Sequence, residues 1–530
     1  MNQYTLDKFS IYGFNDEYDI SLKTVDNIKI IVSENGQGKT TIINMLYSFL
    51  KKNRNIINYN FKSLGINING RDEINYPKQI IKILFKEDLL ESLEYTLSDY
   101  DLSPIKNYNQ RSSIKITQGA FISLIVFFIS NTSSSNMNYK DEIKVFIKKI
   151  NVNEIEEVTP SEVISLIGLI NQIRKSVEDK PYFYNSDNIK FSFNELYDDI
   201  SKICADIYKD SSDDWDFSLF TKKMQELRNE IDELSKKECI YLPTYRVIES
   251  NLSFFRASGE DEEEFSFDGF TETKDFFKDN PLIQFGVESI KETWAGLSNR
   301  IRAKTTEDFL KLSGQLLTNI VSNRKIKKSE IDELISNKDS VIKVISRIDK
   351  NTLTYRNKTN LMHIMKEGEF DVINNNHSAL FYILENMVNI YKNQKHIDET
   401  LEEYRKVINS FFSDKKVVFN EITSEIYVEK NRGSKKIDIE NLSSGEKQIL
   451  SLFTKIYLAN IDDRNKKYWI FYDEPEISLS IEWQEILLPK ILDSGRCEFL
   501  FAATHSPFIF KEERLKSYTS DLALEVTEII

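Results

Sequence analysis

Three observations predict an α/β fold, a head of mixed β-sheet and flanking helices split by a large, mostly α-helical and partly coiled-coil insertion. The apolar run NIKIIVSE leads straight into the glycine-containing segment SENGQGKTT, Ser33 to Thr41, and a helical pattern follows with Ile42, Ile43, Leu46, Tyr47 and Leu50 on one face. The stretch from Tyr468 to Phe510 alternates apolar strands with helices, as a layered sheet requires. Between these ends, from about 101 to 415, the pattern turns helical with few glycines. The expected organisation is therefore residues 1–100 as the first part of the head, 101–415 as the insertion and 416–530 as the rest of the head.

Along the chain, YTLDKFSIYGF, YDISL and NIKIIVSE read as strands, and residues 60 to 100 as further short strands, of which KQIIKILF (Lys78 to Phe85) is the clearest. Phe220, Met224, Leu227, Ile231 and Leu234 keep a four-three spacing over two heptads. A longer amphipathic helix is expected from Leu384, Met387, Ile390, Tyr391, Ile397, Leu401, Tyr404, Val407, Ile408 and Phe411. Between them ECIYLPTYRVIE, Glu238 to Glu249, reads as a strand ending at Pro243 that returns the chain to the head. The acidic run Gly259 to Glu264 reads as an exposed loop. After Val417 the strands KVVFN, SEIYVEK and KIDI precede LSSGEKQ and a helix, LSLFTKIYLA.

Composition excludes several classes. Of 530 residues 40% are hydrophobic and 29% charged, which places the chain among globular proteins rather than disordered ones. The longest apolar run, Gly119 to Ser130, is shorter than the roughly 20 residues that cross a bilayer, and the N-terminus has no basic and apolar leader, so no membrane partner and a cytoplasmic location are expected. A net charge of −14 disfavours a chain coated in nucleic acid, leaving Lys51, Lys52 and Arg54, or Arg324, Lys325, Lys327 and Lys328, as local basic candidates. Cys204, Cys239 and Cys497 lack the paired spacing of a zinc site or disulfide framework.

The chemistry concentrates in four short segments. In the first, Gly36 and Gly38 let the backbone approach phosphate, while Asn35, Thr41 and the helix start supply amide N–H groups. Lys39 is placed on the β- and γ-phosphates of ATP, and the Thr40 hydroxyl on Mg2+. Ser33 stands where the usual GxxxxGK[ST] pattern has its first glycine. In the second, YWIFYDEPE, an apolar strand ends in two adjacent carboxylates, Asp473 for the metal and Glu474 as general base toward water. In the third, His505 ends the strand of FLFAATHSPFIF, where it can hydrogen-bond a γ-phosphate and sense its loss. In the fourth, LSSGEKQ, Ser444, Gly445 and Glu446 stand just before a helix, a start that suits an anion. Taken alone, that segment fits a helix N-cap as well as an anion site. Gln79 is the candidate for a glutamine coupling the γ-phosphate to the insertion, and Ser478 to Ser480 for a subunit-contact loop.

The ordered set SENGQGKTT, LSSGEKQ, FYDEPE and ATHSP resembles the ATP-binding-cassette (ABC) ATPases with SMC-like or RecF-like heads, over about 200 residues at the two ends of the chain. The resemblance implies a homodimer, or a higher oligomer, with ATP and Mg2+ at the interface, each site pairing the loop of one subunit with Ser444, Gly445 and Glu446 of the other. Within that class DEPEISLSIEWQ, ATHSPFIF, YLPTYRVIE and LIQFGVESI look like prokaryotic antiphage-defence ATPases of the OLD group, with the ATPase subunits of the Septu and PARIS systems, including those encoded beside retrons, the nearest families. That group couples its head to a nuclease. Only 25 residues follow His505 and the four histidines show no paired nuclease spacing, so the resemblance implies a separately encoded nuclease effector of HNH or Toprim type, with nucleic acid reached through the effector or a retron. A DNA-repair ATPase gripping DNA through its helical insertion, and a scaffold using ATP as structural glue, are the alternative expectations.

Overall fold

A computed structural model describes residues 5–34, 36–86, 182–184, 190–192, 195–196, 198–200, 202–203, 217–243, 287–321, 328–367 and 378–529. The chain is mixed α/β and divides into two units, Met1–Cys239 with Ser517–Ile530, and Ile240–Lys516. Elements are numbered in chain order.

In the first unit, β1 (Leu6–Phe14), β2 (Tyr18–Lys23), β4 (Ser63–Ile68), β5 (Ile74–Pro77) and β15 (Val526–Glu528) form an antiparallel sheet in the order β15-β2-β1-β4-β5. Its register puts apolar residues opposite one another, Phe9 against Leu22 and Ile66, and Ile11 against Ile20 and Leu64, which is what fixes a strand whose one face is buried. A parallel pairing joins β3 (Ile28–Val32) to β14 (Thr519–Asp521), and β6 (Tyr182–Tyr184) pairs antiparallel with β7 (Lys190–Ser192). Helix α1 (Lys39–Leu50) follows β3 and buries Ile42, Ile43, Met45, Leu46, Phe49 and Leu50. Phe49 meets Tyr76 edge-on at 5.1 Å between ring centroids, and Phe85 at 5.8 Å.

The segment Lys78–Leu84, expected as a strand, is instead a helix, α2, that starts after Pro77. Gln79, Ile80, Ile81, Lys82, Ile83 and Leu84 are all buried, so burial on every side hides the periodicity that separates helix from strand in so short a run. The heptad segment is helix α3 (Phe217–Ser235), with Met224, Leu227, Ile231 and Leu234 buried. Two of the basic candidates are engaged by its end: Lys51 donates to the carbonyls of Lys237, at 2.6 Å, and of Ser235, and Lys52 pairs with Asp232.

In the second unit, α4 (Val287–Val321), α5 (Lys328–Ser336), α6 (Lys338–Arg347), α7 (Tyr355–Glu367) and α8 (Ser378–Asn409) pack around Val341, Val344, Ile345, Phe381, Leu384 and Met387. Arg347, fully buried, donates from Nη2 to both carboxylate oxygens of Asp398, at 2.7 and 2.9 Å, and from Nε to the Glu421 carbonyl at 3.0 Å. Burial pushes the Asp398 carboxyl up, and Arg347 opposes that shift. Strands β9 (Lys415–Asn420), β10 (Glu425–Lys430) and the two-residue β11 (Lys436–Ile437) form an antiparallel sheet, and α9 (Ser444–Leu458) follows. The fully buried β12 (Tyr468–Asp473) pairs parallel with β13 (Cys497–Thr504), with α10 (Ile481–Leu492) as the crossover. A strand, β8 (Cys239–Leu242), lies beside β12. Phe411 and Phe412 at the end of α8 pack on Trp483 of α10, at 5.9 and 6.1 Å.

No helix among the described residues is long and apolar enough to cross a membrane. Asn35, Cys204, Arg324, Lys325, Lys327, the apolar run Gly119 to Ser130 and the acidic run Gly259 to Glu264 lie outside the described residues.

Candidate nucleotide site

The first unit carries the loop between β3 and α1. Gly36 and Gly38 have φ of +84° and +86°, backbone that residues with a Cβ adopt at a cost, and a Cβ at either position would enter open space. Helix α1 starts on Gly38 with no side-chain cap and no acidic residue in its first turn, so its opening amides remain suited to an anion. Thr40 is exposed and Thr41 half-buried at that start. Lys39 is 95% buried, and its ammonium lies back on the loop, donating to the Ser33 carbonyl at 2.8 Å, Ser33 Oγ at 3.1 Å and the Glu34 carbonyl at 3.1 Å. Ser33 thus holds the lysine through its hydroxyl as well as its carbonyl. The loop's donors fit a polyphosphate. Gln79, on α2, is buried, with its side-chain amide donating to Glu195 and its carbonyl accepting from Lys82 at 3.0 Å.

The second unit carries the other three segments. Asp473 ends β12 and is 1% exposed. Glu474 continues the ladder by one bond, its N–H donating to the Ala503 carbonyl at 2.8 Å. The chain then turns through a φ of +49° at Glu474, a left-handed conformation that costs a side-chain-bearing residue about 1–2 kcal/mol. This turn aims the Glu474 carboxylate at the end of the neighbouring strand, where His505 Nε2 lies 3.6 Å from Glu474 Oε1. Both side chains are about a quarter exposed, so the pair faces solvent while Asp473 does not. A carboxylate beside an imidazole at the ends of two paired strands can polarise water and hold an oxyanion.

LSSGEKQ resolves into a cap and a packing contact. Ser443, not Ser444, is the N-cap of α9: its Oγ accepts from the Glu446 N–H at 3.3 Å, and Glu446 Oε2 accepts from the Ser443 N–H at 2.8 Å. Glu446 Oε1 receives Lys415 Nζ at 2.7 Å. The Glu446 carboxylate is thereby committed to building the helix start, and Ser444, half-buried, is the first helical residue after the cap. Gly445 packs against the loop after β12, since a Cβ there would come closer than 3.0 Å to the Ser478 carbonyl oxygen and within 3.3 Å of Leu479 Cδ2. Further along α9, the Gln448 amide donates to the Tyr472 hydroxyl at 2.7 Å, next to Asp473 in β12. Thr454 shares a 2.8 Å bond with the Tyr404 hydroxyl, which also accepts from Trp294 Nε1 at 3.1 Å. The long helices α4 and α8, helix α9 and the carboxylate strand are thus tied together by buried hydrogen bonds.

Two residues outside the expected set also shape the site. Ser443 carries a legible signal, the S-x-x-E pattern of a capping box. Glu476 carries none beyond its place in DEPE: its carboxylate accepts from the Thr504 hydroxyl at 2.7 Å and from the His505 backbone N–H at 2.6 Å, holding the ends of β12 and β13 together. Burial raises the Cys497 thiol to about 12 and the Cys239 thiol to about 11, so neither is a thiolate at neutral pH.

No family model matches the chain, and no curated protein matches it. Among solved structures it is similar to the Smc head domain with an extended coiled coil bound to the C-terminal domain of ScpA from Pyrococcus furiosus, at 10% identity and a TM-score of 0.30 over 99% of this chain and 96% of that one. It is similar as well to the Smc head domain with a coiled coil and joint from Pyrococcus yayanosii, at 13% identity and a TM-score of 0.29 over 96% and 93%. Overlap this loose does not establish a shared fold.

Proposed function

We propose that the chain is an ABC-class ATPase that binds ATP with Mg2+ and hydrolyses it as a dimer. One observation carries the reading: Glu474 is held in a strained left-handed turn with His505 3.6 Å away, a pairing of base and phosphate-sensing group that core packing does not call for. The glycine cradle, the uncapped start of α1 and buried Lys39 support the phosphate half of the site. In this reading Asn35, Gly36, Gly38, Lys39, Thr40 and Thr41 would hold the phosphates, and Thr40 and Asp473 would hold the metal, which would shield charge on the phosphates. Glu474 takes the proton of the attacking water, and His505 donates to the γ-phosphate. Ser444 and Gly445 contact the nucleotide of the partner subunit, while Glu446 acts by capping and by its pair with Lys415. Residues 101–415 serve as the insertion of the head. The motif resemblance supports a cytoplasmic antiphage role in which the dimer holds a separately encoded nuclease.

The test is Glu474→Gln. Steady-state turnover should fall by about 10²–10⁴ with nucleotide binding kept, because only the base is removed. The variant should also accumulate as an ATP-dependent dimer in light scattering. Undiminished turnover would remove Glu474 from the chemistry. A nuclease partner that works equally well with this variant would favour ATP as structural glue.

A further inference from the structure

We infer that Glu476 is a positioning residue that sets His505 against Glu474 by standing in for a missing ladder bond between β12 and β13, an inference that rests on the hydrolysis reading above. In a parallel pair, a residue that donates its N–H to position j−1 of the neighbour accepts on its carbonyl from position j+1. Glu474 donates to the Ala503 carbonyl, in step with the Asp473–Ala503 register, so the next ladder bond would run from the His505 N–H to the Glu474 carbonyl. That bond is not made there. The left-handed turn at Glu474 swings its carbonyl away, and it accepts from the Ile477 N–H at 3.2 Å. The Glu476 carboxylate takes the place of that carbonyl, receiving the His505 N–H at 2.6 Å on Oε1 and the Thr504 hydroxyl at 2.7 Å on Oε2.

The substitution reconciles two demands. Glu474 must leave the strand to present its carboxylate to solvent, and β13 must still be held one residue further to place His505 opposite it. An ionised acceptor makes shorter and stronger bonds than a carbonyl, which suits a strand end with no further ladder beyond it. Thr504 is fully buried and passes the constraint on, its Oγ accepting the Ser506 N–H at 3.0 Å. Ser506 Oγ donates to Gln484 Oε1 at 2.6 Å, and the Gln484 amide donates to the Leu479 carbonyl at 3.0 Å, so the loop after Glu476 and the loop after His505 share one hydrogen-bonded frame.

The experiment pairs kinetics with a spectroscopic reading on the full chain. Glu476→Ala should lower kcat about 10- to 100-fold with KM for ATP changed less than about twofold, the pattern of a misplaced catalytic group. Combined with His505→Ala it should be no slower than His505→Ala alone, because both remove one function. Glu476→Gln, which keeps a carbonyl acceptor for the His505 N–H, should recover turnover to within about threefold of the parent. With only four histidines, selective 15N-histidine labelling isolates the amide of His505, assigned by His505→Ala; Glu476→Ala should shift that resonance and leave the other three in place. Should the alanine variant not fold, Glu476→Asp, with the same charge and shorter reach, should show the same displacement. Multiplying losses in the double variant, a glutamine variant as slow as alanine, or an unmoved His505 amide would each overturn the inference. If instead His505→Ala turns over like the parent while Glu476→Ala still displaces the His505 amide, the hydrolytic role of His505 fails and the positioning by Glu476 stands.

Discussion

Gly445→Ala is the sharpest perturbation available, because two opposing terms can be separated. Position 445 lies in the first turn of α9, where replacing glycine by alanine favours the helix by up to about 1 kcal/mol. Against this, the added methyl would come closer than 3.0 Å to the Ser478 carbonyl oxygen, a backbone atom that cannot rotate away, and would touch Leu479 Cδ2. Overpacking of this kind costs about 1–3 kcal/mol, and a backbone neighbour places it toward the upper end. The net loss is then about 1–2 kcal/mol, or a fall in melting temperature of about 2–8 °C for a unit of this size. Activity should fall further than stability, since α9 must back away from the loop that follows Glu474. Differential scanning fluorimetry and steady-state hydrolysis on the same preparation measure both. A variant that melts at or above the parent and turns over at the parent rate would refute the close approach of α9 to Ser478.

Asp398→Ala should destabilise the second unit by about 3–5 kcal/mol, measured by urea unfolding, because it strands the buried Arg347 guanidinium. Burial raises the Asp199 carboxyl from 3.8 to about 7, so the folded chain holds a proton that the unfolded chain releases between those values. Stability from this group is full below about pH 4 and falls by up to about 1.4 kcal/mol per pH unit as pH rises toward 7, and Asp199→Asn should flatten that slope in melts across pH 4 to 8. Lys39→Ala and Ser444→Arg, each inactive alone, should regain part of the hydrolysis when mixed, up to about a quarter of parent turnover if each mixed dimer keeps one intact site in a random assortment. No recovery in mixtures shown by native mass spectrometry to contain hetero-dimers would remove the shared site.

What could be read from residues alone follows the range of the forces involved. The loop between β3 and α1, the carboxylates at the end of β12 and the heptads of α3 are all written among near neighbours in the chain, where strand alternation, helical periodicity and glycine conformation leave a local signature. The capping box of Ser443 and Glu446 belongs to the same class, though LSSGEKQ invites a reading of Glu446 toward nucleotide before one toward its own helix. Lys78–Leu84 escaped because a run of isoleucines buried on all sides has no preferred period, and surroundings distant in sequence decided for helix.

The sequence by itself determined which chemical groups this protein carries and the kind of element that bears each: a phosphate-type loop opening a helix, adjacent carboxylates closing a strand, a histidine closing another. Only the tertiary structure decided how those groups meet. The parallel register of β12 and β13 brings Glu474 to His505 across 30 intervening residues, and it turns Glu476 from one more acidic side chain into a substitute for a backbone acceptor. It also set Gly445 against the Ser478 carbonyl, a contact no local pattern encodes. The physical reason is common to all three. Hydrogen bonds and steric contacts act within about 3–4 Å in space whatever the separation along the chain, so their partners are assigned by the fold that packs the elements together.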